Sequence, residues 1–467
     1  MLAITGLDSN SDTPIYRQLY GQIRTLIESG ALVEGYRLPP TRELAGSLGL
    51  NRTTVSSAYD LLETQGLIKG HVGRGSFVSP QTPGSGIISF STSRPSELLF
   101  PMEAFRETCR EVIGGDEAQT ILQLGSPSGY GPLRRYLFEN AQVEGTARSS
   151  DGILITSGCQ QGFDLLQRTL ITSGETVIVE DPVIPGLKNA VLRAGARLIG
   201  VPVGPNGIDL IQLERTLRQE RPKMVVVTSN FQNPTGATLR LKDRETLIEM
   251  TRRAGATLVE NDIYGDLRYE GSPLPTLKRL DESGDTILLR SFSKLAFPGL
   301  RVGWMIGPQA LIDRLTETKQ WSDLHTDQLS QAVLFRFAQS GRLEAHRNRM
   351  LDAGRDRLHA TIAACEKHLP EGTEFTRPEG GMNLWVRLPE PLDAGELLQR
   401  AERERVTYLP GKFFGISKAE TRCLRLSFAG LEPSRIEAGI AKLGALFKIE
   451  LERVREYSRP ESLPAMV

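Results

Sequence analysis

Two patterns of hydrophobic and polar residues divide the chain, and the longer one covers residues 98–450. Short apolar runs lie at residues 153–158, 176–182, 196–203, 223–230, 256–262 and 286–292, with helical patterns between most of them. Apolar runs bounded by turn residues are typical of buried strands. Strands that alternate with helices predict an α/β fold with a mostly parallel sheet, in which ligands bind beyond the carboxyl ends of the strands.

The first 80 residues instead predict short helices followed by two short strands. One helical face collects the apolar residues Ile15, Leu19, Ile23, Leu26 and Ile27. Residues 38–68 predict two short helices joined by a turn at Gly49, and residues 67–78 predict two strands around a glycine-rich turn. This order indicates a helix-turn-helix followed by a hairpin wing.

A segment rich in Gly, Ser, Thr and Pro, residues 81–97, separates the two patterns and is interpreted as a linker with a short strand at residues 87–90. A chain of 467 residues is too long for one core. We therefore predict a small domain over residues 1–80 and a large one over 98–450, with a small C-terminal subdomain from about residue 335. Residues 451–467 are predicted to be a tail.

Composition narrows the function classes only in part. The chain is 39% hydrophobic and 24% charged, with 56 basic and 56 acidic residues, which is ordinary for a soluble protein. The four cysteines form no CxxC pair and the five histidines are scattered, so we predict no metal site and a reducing compartment. No stretch approaches the roughly 18 apolar residues that span a bilayer, and no signal peptide is evident. These features predict a cytoplasmic protein.

The second short helix begins with Arg52, Thr53 and Thr54, which are able to reach bases or phosphates from a helix N-terminus. Residues 1–80 hold seven basic and seven acidic residues, so the pattern alone leaves DNA binding and helical dimerisation open. LPPTRELAGSLGLNRTTVSSAYDLLETQGLI followed by GRGSFV resembles the winged helix-turn-helix of GntR-type bacterial regulators. The resemblance implies that Arg42, Arg52, Thr53 and Thr54 contact double-stranded DNA, while Arg74 in the wing reaches the minor groove.

Polar residues that follow the apolar runs form a second set of candidates. In chain order they are Ser157, Gly158, Cys159, Gln160, Asn233, Asp262, Tyr264, Ser291, Ser293, Lys294 and Arg301. Backbone amides at a helix start, hydroxyls and an arginine suit a phosphate. A lysine can form a Schiff base, and a strand-end carboxylate can protonate a ring nitrogen. Each residue alone also fits a helix cap, a turn or an ion pair, but together they indicate a pyridoxal phosphate site.

Residues 98–450 resemble fold type I aminotransferases. That resemblance implies Lys294 as the aldimine lysine, Asp262 as the partner of the pyridine nitrogen, Tyr264 and Asn233 as partners of the ring hydroxyl, and Gly158, Cys159, Gln160, Ser291, Ser293 and Arg301 around the phosphate. It also implies that Arg425, in CLRLSF at residues 423–428, pairs with a substrate α-carboxylate. The alternative for Arg425 is a partly buried structural role.

A GntR-type reader joined to an aminotransferase-like body is the layout of the MocR family, which residues 346–358 and 378–388 also resemble. Two positions depart from the family pattern. Ile184 lies where an aromatic residue often stacks on the cofactor, and Leu124 where a tyrosine often reaches the cofactor of the partner subunit. Tyr130, close to Leu124 in the sequence, is a candidate to compensate.

The resemblance implies a homodimeric, pyridoxal phosphate-dependent regulator that binds DNA and senses an amino compound through an external aldimine at Lys294. Small-domain closure around Arg425 would then shift the DNA-binding domain. An active aminotransferase that carries a DNA-binding domain is the alternative, because no residue blocks transamination.

Overall fold

The computed structural model describes residues 4, 6–8, 14–28, 31–33, 35–64, 67–71, 75–79 and 87–457. The chain divides into two compact units, residues 1–87 and 88–467. Arg74, which was predicted to lie in the wing, is outside the described residues.

Within its described residues, the small unit contains three helices and a two-stranded sheet. Its elements are α1 (Ile15–Glu28), α2 (Thr41–Leu48), α3 (Arg52–Thr64), β1 (Ile68–His71) and β2 (Gly75–Val78), and the two strands pair antiparallel. Leu19 and Ile23, on the apolar face predicted for α1, are fully buried and share a core with Val55 and Leu62 of α3. The predicted helix-turn-helix and hairpin are confirmed.

The large unit is an α/β domain whose elements follow in chain order. They are β3 (Ile88–Ser89), α4 (Met102–Gly114), α5 (Ala118–Ile121), α6 (Gly131–Val143), β4 (Asp151–Thr156), α7 (Cys159–Leu170), β5 (Thr176–Asp181), α8 (Pro185–Arg193), β6 (Arg197–Gly204), β7 (Gly207–Ile208), α9 (Leu210–Glu220), β8 (Met224–Val227), α10 (Leu241–Arg253), β9 (Thr257–Asn261), α11 (Leu277–Leu280), β10 (Ile287–Ser291), β11 (Gly303–Pro308), α12 (Gln309–Asp323), α13 (Gln328–Gln339), α14 (Arg342–His368), β12 (Glu374–Phe375), β13 (Asn383–Arg387), α15 (Ala394–Arg403), β14 (Val406–Thr407), β15 (Leu409–Pro410), β16 (Cys423–Ser427) and α16 (Pro433–Tyr457).

An eight-stranded sheet forms the centre of this unit, in the order β4-β11-β10-β9-β8-β5-β6-β7. Six strands run in one direction, and β11 and β7 run opposite to their neighbours. Every residue of β4, β5 and β8 is buried, because helices pack on both faces of the sheet. Such strands read as continuous apolar runs, and the predicted mostly parallel α/β fold is confirmed.

A second sheet, in the order β12-β13-β16-β15, forms the small subdomain together with α14, α15 and α16. β3 pairs with β14, and Phe90 is fully buried in the core of the subdomain. The linker predicted over residues 81–97 therefore ends earlier than predicted, because the chain from Ile88 onward packs into the subdomain through apolar side chains. α16 also continues to Tyr457, inside the predicted tail, because Leu451 packs in the same core.

Among the described residues, no helix combines the length and the apolar character that crossing a bilayer requires. In the same part of the chain, His, Cys, Asp and Glu side chains do not gather in threes as metal ligands would.

Candidate functional site

Four parallel strands of the central sheet end at one edge, and a candidate residue follows each of them. Gly158 follows β4, Asn233 follows β8, Asp262 follows β9, and Lys294 follows β10. β8, β9 and β10 are adjacent, and β4 is separated from β10 by β11 alone. The carboxyl edge of a parallel sheet is where ligands bind in α/β proteins.

The start of α7 forms a cup lined by backbone amides, hydroxyls and a guanidinium. Gly158 precedes α7 with φ of 80°, a conformation that favours glycine. A Cβ on Gly158 would lie 2.6 Å from Nη2 of Arg301, and one on Gly303 would lie 2.9 Å from Cα of Gly158. Arg301 Nη1 and Ser291 Oγ both donate to Ser293 Oγ, at 3.4 and 2.9 Å. Such a set of donors suits a phosphate group.

Asp262 is buried, and both of its carboxylate oxygens accept hydrogen bonds. Oδ1 accepts from Asn230 Nδ2 at 2.8 Å, and Oδ2 accepts from Arg290 Nε at 3.2 Å. Arg244 is fully buried and donates to Asn230 Oδ1 at 2.7 Å, which turns the amide nitrogen of Asn230 toward Asp262. The carboxylate is therefore held in one orientation at the strand edge.

The Tyr264 hydroxyl lies fully buried beside Asn233. Asn233 Nδ2 donates to Tyr264 Oη at 3.0 Å, and Ser93 Oγ lies 3.3 Å from the same oxygen. Burial alone would raise the pKa of this phenol, but Lys294, Arg425 and these hydrogen bonds outweigh burial and lower the pKa. The arrangement stabilises the phenolate form.

Lys294 follows β10 and is half-buried next to Tyr264. Its Nζ lies 5.6 Å from the centre of the Tyr264 ring and donates to the carbonyl oxygen of Ser93 at 2.6 Å. Its placement among Tyr264, Asp262 and the cup gives it the surroundings that a Schiff-base lysine needs.

Arg425, on β16, is 5% exposed and lacks a carboxylate partner among the described residues. Nη1 donates to Asn233 Oδ1 at 3.0 Å and Nη2 to Ser91 O at 2.5 Å, while the buried Nε has no hydrogen-bond partner in the described part of the chain. Burial lowers the pKa of Arg425 to about 10. A buried guanidinium with an unused donor is suited to a carboxylate ligand.

These residues fit pyridoxal phosphate. The cup around Gly158, which a Cβ would narrow, suits the phosphate, and Asp262 follows β9, next to the strand that Lys294 follows, where it can meet the pyridine nitrogen. Asn233 and Tyr264 present polar atoms for the ring hydroxyl, and Lys294 presents the amine. When bound, this cofactor supplies an aldehyde that condenses with amines and a ring that accepts electrons.

The second candidate site lies at the N-terminus of α3 in the small unit. Asn51 caps the helix by accepting a hydrogen bond from the backbone N–H of Thr53 at 3.2 Å. Arg52, Thr53 and, on α2, Arg42 are exposed, and Thr54 is half-buried. Exposed polar side chains at the start of α3, the second helix of the helix-turn-helix, are what major-groove readout requires.

Both units match known families. Residues 86–443 match aminotransferase class I and II, and residues 15–78 match the bacterial regulatory proteins of the gntR family. The chain belongs to the aminotransferase class I and II family.

Some relatives of this chain match the large unit alone, and others match both units. A 2-aminoadipate transaminase of Thermus thermophilus is 35% identical over 79% of this chain and 91% of its own. The structure of Pyrococcus horikoshii kynurenine aminotransferase, in complex with PMP, has a TM-score of 0.75 and 34% identity over 79% of this chain and 92% of its own. The probable rhizopine catabolism regulatory protein MocR of Rhizobium meliloti is 28% identical over 94% and 95%. A gntR domain fused to an aminotransferase domain, as in MocR-type regulators, is therefore the architecture of this chain.

Two predicted cofactor-binding residues of the aminotransferase domain turn their side chains to structural partners. Gln160 Nε2 donates to Gly186 O at 3.2 Å, and Cys159 Sγ lies 3.6 Å from Arg290 O. Burial raises the pKa of the Cys159 thiol to about 12, so the thiol stays neutral. Their backbone amides remain at the start of α7, where they can serve an anion.

The positions that depart from the family pattern differ in their surroundings. Ile184 is half-buried at the start of α8 and packs against the core of the sheet. Leu124 is 81% exposed. The Tyr130 hydroxyl donates to Glu117 at 2.9 Å, so it is already engaged within this chain.

Several residues that contact the site were not predicted from the sequence. Ser91 and Ser93 supply carbonyl oxygens to Arg425 and Lys294, while Asn230 and Arg290 hold Asp262. Arg290 carried a signal, since a charged residue inside an otherwise apolar strand requires a partner. The carbonyl contacts carried none, because any residue type can supply them.

Proposed function

We propose that this protein is a pyridoxal phosphate-dependent transcriptional regulator of the MocR type, which binds double-stranded DNA and senses an amino compound at Lys294. The observation that carries the proposal is the joining, in one chain, of a gntR domain to a site that offers Lys294, an anion cup and the incompletely paired Arg425. Since DNA is the proposed target, we expect the protein in the cytoplasm.

Within this site, each residue has one proposed role toward the cofactor. Lys294 would bond the aldehyde carbon, Asp262 would face the ring nitrogen, and Asn233 with Tyr264 would hydrogen-bond the ring oxygen. The amides of Gly158, Cys159 and Gln160, with Ser291, Ser293 and Arg301, bind the phosphate. These roles are supported by the distances among the side chains.

Arg425 restricts the class of ligand to amino compounds that carry a carboxylate. Its Nε has no partner in the described part of the chain, and Nη2 is bonded only to the carbonyl of Ser91 there. A carboxylate would accept from both nitrogens in the bidentate geometry that guanidinium groups favour.

A short strap, residues 91–93, gives a physical route from this ligand to the DNA-binding domain. The strap follows β3 and contacts Lys294, Tyr264 and Arg425. A carboxylate on Arg425 competes with Ser91 O, and a bond at Lys294 competes with Ser93 O. Since β3 begins where the small unit ends in sequence, a displacement of the strap would also displace the linker that joins the two units.

A flexible insertion in the linker should uncouple ligand binding from DNA binding. With about six Gly and Ser residues inserted between Gly84 and Ser85, we expect the ligand to shift the cofactor spectrum as in the wild type, and DNA to bind with the affinity that the wild type has without ligand. The ligand should no longer change DNA affinity, because the added residues lengthen the linker enough to absorb a displacement of the strap. Fluorescence anisotropy with and without ligand measures this.

The same insertion between Glu371 and Gly372, an exposed turn of the body, is the matched control and should retain the response. If the ligand still changed DNA affinity as much in the variant with the lengthened linker, transmission through the strap would be contradicted.

Arg52 offers the corresponding test of the DNA-binding site. We expect Arg52→Ala to weaken specific DNA binding by about 10-fold or more, since an arginine contact to a base is worth roughly 1–3 kcal/mol. The cofactor spectrum should be unchanged. Affinity is measured on a fragment that the wild-type protein selects from a random DNA pool. Arg17→Ala removes the same charge from α1, and equal losses in both variants would count against the assignment.

A homodimer is proposed because large apolar side chains are exposed on neighbouring segments of the aminotransferase domain. Trp321, Leu324 and Leu124 are 82%, 57% and 81% exposed. Gln328 Nε2 donates to Gln123 O at 2.7 Å, which joins the loops that carry the two leucines. Apolar groups of this kind mark association surfaces, and a two-fold pair of winged helices would suit a palindromic or repeated operator.

An active aminotransferase is the second candidate, because a half-reaction requires the same lysine, carboxylate and phosphate groups. Adding amino acids and amines in turn, without keto acid, separates the two. Release of pyridoxamine phosphate, measured by chromatography, would favour the enzyme. A spectral shift that stops short of pyridoxamine phosphate would favour the sensor and identify its ligand class.

A further inference from the structure

A guanidinium occupies one side of the carboxylate that is proposed to face the pyridine nitrogen. Arg290 Nε and Nη2 both lie 3.2 Å from Asp262 Oδ2. The two side chains are 18% and 2% exposed, so solvent screens their charges only weakly. Arg290 lies on β10, four residues before Lys294, and the charge of Asp262 is therefore shared before any ligand arrives.

A second donor holds the Asp262 carboxylate in its orientation toward Arg290. Asn230 Nδ2 holds the other oxygen at 2.8 Å, and the fully buried Arg244 fixes the orientation of the Asn230 amide. Both oxygens of Asp262 are thus engaged. A ring nitrogen that meets Asp262 joins a carboxylate whose negative charge is already partly compensated.

We propose that Arg290 is a positioning residue that partly neutralises the negative charge of Asp262. It thereby keeps the pKa of the ring nitrogen of bound pyridoxal phosphate lower than Asp262 alone would make it. The inference rests on the proposed function and deepens it. A ring nitrogen without its proton withdraws electrons less strongly, which favours a site that holds its amino ligand over one that converts it.

Two further acidic groups face Arg290 and compete with Asp262 for the positive charge of its guanidinium. Glu144, at the end of α6, accepts from Arg290 Nη1 at 2.8 Å and is 50% exposed, and Asp266 lies nearby. Removing the charge of Glu144 leaves Arg290 more available to Asp262 and also removes a negative charge. Both effects lower the basicity of the ring nitrogen. Removing Arg290 acts in the opposite direction.

The test uses the full chain reconstituted with pyridoxal phosphate that is ¹⁵N-labelled in the ring. The ¹⁵N chemical shift, followed against pH, reports protonation of that nitrogen without any turnover. We expect Arg290→Gln to raise the pKa of the ring nitrogen by about one unit, because Arg290 lies 3.2 Å from Asp262 and a charge so close to a carboxylate shifts its interaction with a proton by roughly 1–3 units. Glu144→Gln should lower it by less than about one unit, because Glu144 is half exposed and screened.

An unchanged or lowered pKa of the ring nitrogen in Arg290→Gln would overturn the proposal. If that variant does not fold, Arg290→Met takes its place, with the same expected rise and the same overturning outcomes. An unchanged or raised pKa in Glu144→Gln would also overturn the proposal. Failure of the proposed cofactor site is separately visible, since wild-type protein would then not bind the labelled cofactor, and release of pyridoxamine phosphate on addition of an amino acid would separately identify an enzyme.

Discussion

Replacing Lys294 with alanine is expected to abolish the visible absorbance band of bound pyridoxal phosphate while the fold remains intact. The band requires a covalent bond between a protein amine and the cofactor aldehyde. Lys294 is half-buried and donates one hydrogen bond, to Ser93 O, so its truncation leaves no large cavity. The spectrum after reconstitution, recorded beside a thermal unfolding curve, measures both expectations.

Lys188→Ala is the matched control for that experiment. Lys188 is also half-buried, and its Nζ donates to the carbonyl oxygen of Gly415 at 2.6 Å, much as Lys294 donates to Ser93. The control should keep the band. A band that persists in Lys294→Ala, with borohydride reduction attaching the cofactor to another lysine, would contradict the assignment.

The central sheet was largely predictable because its strands are buried on both faces. The apolar run predicted at residues 176–182 forms β5 (Thr176–Asp181), and the run at 286–292 forms β10 (Ile287–Ser291). β11 (Gly303–Pro308) was missed, although it lies between β4 and β10. Its antiparallel insertion depends on pairing with strands that are distant in the chain, which local patterns do not encode.

The candidate site divides in the same way. Asn233, Asp262 and Lys294 were predicted because each follows an apolar run, and the parallel sheet brings strand ends to one edge. Ser93 was not predicted, since it lies 201 residues from Lys294 and acts through its backbone carbonyl. The contact of Arg290 with Asp262 depends on the register of β9 and β10, in which Leu289 lies opposite Asn261.

The second large effect is expected from Arg425. Replacing it with glutamine should weaken binding of an amino acid ligand by at least about 30-fold, since losing one partner of a buried charged pair costs roughly 2–5 kcal/mol. Binding of the amine that decarboxylation of that ligand would give should change little, because it makes no bond to the guanidinium. Spectral titration of both compounds measures the two affinities.

Arg387→Gln supplies the control, because Arg387 lies on the adjacent strand β13 but pairs with Glu420 and is 36% exposed. Equal weakening of the amino acid and the amine in Arg425→Gln would indicate a structural arginine, the alternative that the sequence left open. Selective loss of the amino acid would instead assign the carboxylate to Arg425. Since the same guanidinium also bonds Ser91 O in the strap, that result would identify the ligand group able to release the strap.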